Sequence, residues 1–433
     1  MLKLRRAIVL DAGPPGSGGE QDLVIELGAG AHGAGGWVAA DAVAGDGARR
    51  PAIADVALVG RAEVGDEVVV NVQARDLGLG SGGFDIVHVN LSRGLGEDGG
   101  AGIEDTAEAN VMKLNYTSLQ HTVAAVEERP TAAFEDGASA LEIGALTRPV
   151  AVLALHGQLA AVAWAFAQAL PGSRLGYVQT AGGALPGGHS RAVRSLRECG
   201  LLAGHLTAGA AFGGEGEAIT TVGALHHGLQ VLGWDAAVCG PGPGIVGSSS
   251  PLGHGGMSAL DSAHAALALG APTLLVARMS SGDPRARHRG ISHHTLTVLD
   301  LLLEPVTVAL PAGMRSPVGA ALLAGLRPVG LGAVFGGALP SRAIENRPVL
   351  ELEVKRPARI TRHDWRRAIV DLPAYAVAGL PAETMGRGLT EDPLFFGAAL
   401  AAGTALAELA GDAERGEDGA GEAERRVAPP RSL

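Results

Sequence analysis

The chain reads as α/β: a small N-terminal β-rich, barrel-like domain followed by a doubly wound, mostly parallel α/β domain. Three observations predict this. The first hundred or so residues alternate short β-prone runs with Gly-rich turns. From Pro149 onward, strand, loop and helix patterns repeat in that order. The strand runs, each of about six residues, are apolar on both faces, as in a parallel sheet covered by helices. The expected division is 1–100 for the barrel-like domain, 101–148 for a connecting segment and 149–380 for the α/β domain. A C-terminal helix over 381–411 and a charged, disordered tail over 412–433 complete it.

Within the first domain, LVIEL (Leu23 to Leu27), ADVALVG, DEVVVNVQA and FDIVHVNL are the predicted strands. Val64-Gly65-Asp66-Glu67 is a turn feeding one of them. The glycines of Leu77 to Phe84 suit either a hairpin or a close backbone approach to a ligand. Gly94 to Gly102 reads as a linker. Glu108 to Gln120 is an extended segment in which Lys113 and Asn115 are candidate ligand contacts, although an exposed strand lysine is equally ordinary.

The second domain opens with VAVLAL, His156-Gly157-Gln158 and an Ala-rich helix to Leu170. RLGYVQT, LLAGHLTA, DAAVCG and PTLLVARM are the next strands, and Val306 to Leu310 is a sixth. Right-handed crossovers place the intervening loops along one sheet edge, at the strand carboxyl ends. Leu352 to Ile360 resembles a further strand, and the run from Leu394 resembles a helix packing back on the domain.

Composition bounds the function. The 433 residues include 66 glycines, only 3% aromatics and just three lysines (Lys3, Lys113, Lys355), a bias towards Ala, Gly and Arg. A net charge of -11 argues against a general nucleic-acid binder, and the few aromatics argue against RNA stacking on a basic loop. Cys199 and Cys239 are too few for a disulfide framework or a Cys-based zinc site, which fits a cytoplasmic location. MLKLRRAIVLDAG is too short in its apolar run for a signal peptide. The uncharged stretch between Arg148 and Arg174 breaks at His156-Gly157-Gln158, so no membrane span is expected.

The densest chemistry lies between Leu274 and Glu304. Arg285, Arg287, His288, Arg289, His293 and His294 fall within ten residues, preceded by Asp283, between two segments that read as core. Arginine forks suit carboxylate or phosphate, so Asp283, Arg285 and Arg287 are assigned to ligand binding. Ser292 is placed to cap the following helix. His288 and His293 are the acid/base candidates, and with His294 the candidate ligands of a divalent metal. Adjacent residues on a helix diverge by about 100°, so His293 and His294 are not expected to share one ion easily. His156, His189, His205 and His254 lie near ends of the same sheet and widen the set.

Other loops offer weaker signals. Gly240, Gly242 and Gly244 of the GPGPG loop, with Ser248 to Ser250, could cradle an anion through backbone amides, but the loop matches neither a P-loop nor a dinucleotide fingerprint. Gly213 and Gly214 precede Glu215 and Glu217, which either cap a helix starting near Ala218 or, for Glu217, serve as a base. Thr180 completes the ligand candidates. Each loop is equally well explained as a tight turn.

At LGLGSGGF (Leu77 to Phe84), VMKLNYTSLQ (Val111 to Gln120), TAGGALP (Thr180 to Pro186), AFGGEGEAITTVGAL (Ala211 to Leu225), GPGPGIVG (Gly240 to Gly247) and DPRARHRGISHHT (Asp283 to Thr295), the chain resembles a bacterial domain-of-unknown-function family, family 3866. The resemblance covers most of the chain to about Leu380 and implies kinship without a reaction. Such proteins often read TDGAALP at the third motif. Ala181 stands here in place of that aspartate, which weakens any acid role there.

Two function classes follow. One is an enzyme acting on a small anionic molecule, phosphorylated ones included, in the edge crevice, with metal assistance within reach of the histidines. The barrel-like domain would close over that crevice. The other is a non-catalytic metabolite binder or sensor using the same crevice. A homodimer is expected, on the strength of the Ala-rich C-terminal helix.

Overall fold

The computed structural model describes residues 2–28, 49–78, 82–95, 111–128, 144–314 and 357–427. Two compact units result, Met1–Ala124 and Ala125–Leu433, so the boundary falls inside the segment expected to connect the domains.

The first unit is a closed barrel of β1 (Leu4–Ala12), β2 (Glu20–Leu27), β3 (Arg49–Asp55), β4 (Glu67–Asn71) and β5 (Asp85–Asn90), in the order β1-β2-β3-β5-β4. Only β3 and β5 pair in parallel. Alternate residues point inward, so Leu23, Ile25, Val68, Val70 and Val87 fill the interior. The ADVALVG run is not a single strand. Asp55 ends β3 and caps a one-turn helix, α1 (Val56–Val59), by accepting from Ala57 N at 3.0 Å and Leu58 N at 3.2 Å, which outweighs the β preference of the valines. A second short helix, α2 (Gln73–Asp76), follows β4. The predicted turn before β4 is present, with Gly65 at φ 93°. Asp66 in that turn is buried and accepts from Glu63 N, Asn90 and Arg93, bonds that hold its pKa down although burial alone would raise it. Gly82 and Gly83 also take positive φ in a turn before β5, while 79–81 lie outside the described residues. A hairpin of β6 (Val111–Lys113) and β7 (His121–Val123) carries Lys113, buried, and Asn115, exposed.

The second unit is built on an eight-stranded, wholly parallel sheet. Its elements are β8 (Val150–Val152), α3 (Leu159–Ala169), β9 (Leu175–Thr180), α4 (Arg191–Glu198), β10 (Gly204–Ala208), β11 (Gly216–Ala218), α5 (Thr221–His226) and β12 (Ala236–Pro241). They continue with α6 (Ser258–Ala268), β13 (Thr273–Leu275), the two-residue strands β14 (Met279–Ser280) and β15 (Gly290–Ile291), α7 (His293–Leu301) and β16 (Thr307–Met314). After 315–356, which lie outside the described residues, come α8 (Pro357–Thr361), β17 (Asp364–Val370), α9 (Leu372–Ala376), the small hairpin β18 (Glu383–Thr384) and β19 (Arg387–Gly388), and α10 (Pro393–Val427).

The sheet order is β11-β10-β9-β12-β8-β13-β16-β17. The chain leaves β8 for β9 on one side and leaves β12 for β13 on the other, so the topology switches between the neighbours β8 and β12. Open α/β sheets place ligands in the crevice at such a point. Side chains alternate between the two faces: Ala236 and Val238 join α3, α4 and α10 in one core, while Ala237 and Cys239 join α5, α6 and α7 in the other.

Three further expectations fail, each for a local reason. Gly216–Ala218 is an edge strand rather than the start of a helix, which begins only after Thr220 caps it through Gly223 N at 2.9 Å. Residues 357–361 are helical, with Pro357 at the first position, and the strand follows at 364–370. The last helix runs to Val427, through most of the stretch expected to be a disordered tail, because Ala, Glu and Arg are strong helix formers; residues 428–433 lie outside the described residues.

By length and composition Pro393–Ala413 could cross a membrane, but 83% of its apolar window is buried within the structure. Part of that burial is against α3: a Cβ on Gly403 would meet the Val162 carbonyl oxygen. The stretch between Arg148 and Arg174 divides into β8 and α3, as its central break predicts.

Candidate metal centre

The site is assembled where β13 ends. Arg278 follows the apolar run, then β14 and β15 pair Met279 with Ile291 and Ser280 with Gly290, closing the base of the Arg/His loop. Ser292 caps α7 as predicted, its Oγ accepting from His294 N at 3.2 Å. Thr295, one turn in, instead ties the helix to the strand end by accepting from Arg278 N at 2.9 Å.

His288, His293 and His294 bring one ring nitrogen each to within 4.8 Å of one another. The His293 and His294 ring centroids are 4.2 Å apart, and His288 lies 4.9 and 4.8 Å from them. The expected divergence of the adjacent pair is overcome because first-turn side chains lean back towards the helix N-terminus, where the incoming loop meets both. His254, from the loop after β12, stacks on His294 at 3.3 Å. All four residues are less than a tenth exposed. Among the described residues, the Nε2 atoms of all four, and Nδ1 of His254, are buried without a well-formed hydrogen bond. Each such group costs about 1–3 kcal/mol if nothing meets it. Burial first, then neighbouring positive charges, push His288 to about 3, His293 to about 4 and His294 to about 2, so the rings are neutral near pH 7. His254 is lowered by burial as well, partly opposed by the Pro251 carbonyl. Neutral imidazoles whose nitrogens lie this close are donors of the type that a transition metal takes, so these residues could hold one.

A shell of arginines surrounds the rings. Asp283, fully buried, receives Arg285 in a fork, Nε at 2.9 Å and Nη2 at 2.8 Å, and also faces Arg278 at 3.5 Å and Arg387 at 3.6 Å. Burial would raise its carboxyl, but Arg285 holds it well below the usual range. Asp392, also fully buried, accepts from Ser280 Oγ at 2.6 Å, Ser281 N at 2.8 Å and Arg387 at 3.2 Å. Burial lowers Arg278 to about 10, which leaves it charged. Arg278, Arg285, Arg287 and Arg387 thus outnumber Asp283 and Asp392, and the locality is cationic despite the acidic chain.

A family model for proteins of unknown function, DUF3866, matches residues 51–403. The chain belongs to the DUF3866 family. No curated protein and no solved structure matches it. The DUF3866 region takes in every strand of the parallel sheet, all four histidines and both buried aspartates.

The remaining candidates separate. Arg287 stays with the cluster, its charge acting on His293 and its Nε buried without a partner. Asp283 and Arg285 are present but spent on each other. Glu217 is on β11, five strand spacings and about 24 Å from β13, and accepts from Thr207 Oγ1 and Gly213 N at 2.7 Å each. Gly214 N is likewise used internally, on Thr207. Gly240 and Gly242 serve close packing: a Cβ would meet Leu153 at 2.7 Å or Gln179 at 2.4 Å. Gly244 has φ 87°, a turn requirement. Ser248 is exposed and bonds to Gly253, and Thr180 is buried at the end of β9. Lys113 and Asn115 belong to the first unit.

Of the other histidines, His156 forms a second polar group at the switch point. Its Nε2 is 2.7 Å from Ser190 Oγ and its Nδ1 3.2 Å from the Tyr177 hydroxyl, which donates to the Gly240 and Pro241 carbonyls at 3.1 Å. His205 stacks on Tyr177 at 5.2 Å. His189 lies next to Ser190 in the short turn before α4. A hollow of about 200 Å³ lined by Arg174, His205, Glu215 and Trp234 shares no residue with the four-histidine cluster.

Arg278, Arg387 and Asp392 were not among the predicted site residues. Arg278 had a signal, a charge ending a buried strand run. Arg387 and Asp392 had none, being brought in from about a hundred residues downstream.

Proposed function

We propose that this protein is a cytoplasmic, metal-assisted enzyme that acts on a small anionic molecule at the carboxyl edge of its parallel sheet. The observation that carries the reading is the set of buried, neutral imidazoles with nitrogens lacking hydrogen-bond partners. A nitrogen-rich set favours a zinc-class divalent ion over calcium or magnesium. The metal would supply Lewis-acid chemistry or an activated water. The excess of guanidinium groups, with Arg287 still incompletely partnered, favours an anion beside it. Two free thiols, Cys199 and Cys239, agree with a reducing compartment. A metabolite sensor is the second reading. It is favoured by the ion-pairing of both buried aspartates, which leaves neither as a ready general base.

The deciding experiment is metal analysis of untagged protein, with native mass spectrometry for retained small molecules. The expected result is about one zinc-class ion per chain, with affinity falling by roughly a hundredfold or more in His288→Ala and His293→Ala while the fold persists. Protein that neither retains nor takes up zinc, or variants that bind it unchanged, would sink the metal reading. Turnover of a retained molecule would separate the enzyme from the sensor.

A further inference from the structure

The contacts of the four rings are unequal, and the inequality assigns them different tasks. Resting on the metal reading above, we propose that Arg278 is a positioning residue that fixes His294 as an N–H donor to an oxyanion, so that His294 is not a metal ligand. Arg278 Nη1 lies 3.0 Å from His294 Nδ1. A guanidinium has donors only, so His294 Nδ1 must accept, and the proton of the neutral ring must sit on Nε2. That Nε2–H is buried and, among the described residues, meets no acceptor. It cannot also offer a lone pair to a cation. It can donate to an oxygen held at the same place.

His288 has no such lock. Its Nδ1 is 2.8 Å from Ser292 Oγ, a hydroxyl that can accept or donate, and the tautomer in which Nδ1 donates leaves the Nε2 lone pair open. His293 Nε2 is open too, and His254 has neither nitrogen in a well-formed hydrogen bond. In that tautomer the lone pair of His288 joins the open nitrogen of His293, and one ring nitrogen of each lies within 4.8 Å of one of His294, with His254 stacked on His294. This is the arrangement that binds a metal and a negatively charged oxygen on that metal together. The oxygen belongs either to a phosphate or carboxylate of the ligand or to a metal-bound hydroxide. Arg278 is held in place for this work by Asp283 and by the Met385 sulfur at 3.8 Å.

The first test needs no metal. Long-range proton–nitrogen NMR on protein with 15N-labelled histidine rings, assigned by loss of the signal in His294→Gln, reports the tautomer directly. Nε2–H on His294 in the wild type, turning to a mixture in Arg278→Met, supports the proposal. Nδ1–H on His294 in the wild type overturns it even if the Arg278 variant fails to fold.

The second test uses zinc and inorganic phosphate. His294→Gln should keep its zinc, and phosphate affinity of the zinc-loaded protein should fall roughly ten- to hundredfold in His294→Phe and recover in His294→Gln, whose amide can donate from the same position. If phosphate affinity does not change but the ionisation of cobalt-bound water in the cobalt-substituted protein moves in His294→Phe, the oxyanion is hydroxide. Neither change, or loss of zinc in His294→Gln, overturns the assignment while leaving the metal reading standing. Wild-type protein that binds no zinc defeats the metal reading itself, and the tautomer spectrum then judges the Arg278–His294 lock alone.

Discussion

Asp283 is the residue on which the arginine shell depends. Its carboxylate is fully buried, and Arg278 beside it is only 4% exposed. Removing the acid leaves a buried guanidinium with weakened compensation, so Asp283→Ala should destabilise the protein by about 3 kcal/mol in denaturant unfolding. Arg285 makes the shorter bonds to the same acid but is 45% exposed, so Arg285→Ala should cost under about 1 kcal/mol. Equal losses in the two variants would show that the strength lies in the fork and not in the burial of Arg278. At this scale much of the site could be read from the chain. The run from Asp283 to His294 announced itself because charged residues and imidazoles seldom gather between two core segments. Which of them would be free was not legible: Asp283 and Arg285 neutralise each other, while His254, forty residues from His294, stacks directly on it.

Among the elements, α10 and α3 are held at a distance set by one glycine. A Cβ on Gly403 would lie 2.8 Å from Ala165 Cβ and closer still to the Val162 carbonyl oxygen, both parts of a helix that cannot move alone. Gly403→Ala should therefore lower stability by about 1–3 kcal/mol, the usual effect of overpacking, rather than raise it as a helix-propensity argument would suggest. A rise in melting temperature would show that the two helices separate easily. Trp234 tells a similar story in the sheet: Gly176, Gly204 and Gly228 clear the space its indole fills, each Cβ falling within 2.9 Å of the ring. The strand, loop, helix rhythm was readable because both-face burial leaves near-continuous apolar runs. Short elements were not. One cap, Asp55 or Thr220, decides whether four to six residues turn into a helix, and β11 is a strand only because β10 pairs with it.

For the whole molecule, the depressed histidines make stability depend on pH with a definite sign. His156 and His205 are lowered to about 4 and 3 by burial, as His288 and His293 are, against a usual value of 6.5. Below 6.5 the unfolded chain takes up protons that the folded chain refuses until about pH 4, so the folded state loses ground as pH falls through that window. Metal-free protein should hold its stability above pH 7 and lose it from about 6.5 to 4, each histidine adding up to about 1.4 kcal/mol per pH unit to the slope. The depressed carboxylates, Asp283 among them, add their losses only below about pH 4. A flat stability curve between pH 7 and 5, followed by denaturant titration, would show that these rings are hydrated in solution.

The amino-acid sequence by itself determined the architecture and pointed to the loop that carries the candidate site. Periodicity and turn chemistry are local, and they suffice to specify a barrel of short strands, a covered parallel sheet and a charged loop at a strand carboxyl end. Ser292 as the cap of α7 was determined in the same way. Only the tertiary structure decided which side chains meet. Strand order moved Glu217 to the far edge of the sheet, the loop after β12 delivered His254, and the approach to α10 delivered Arg387 and Asp392. Those meetings depend on crossovers and helix packing across forty to more than a hundred residues, and no spacing along the chain encodes them.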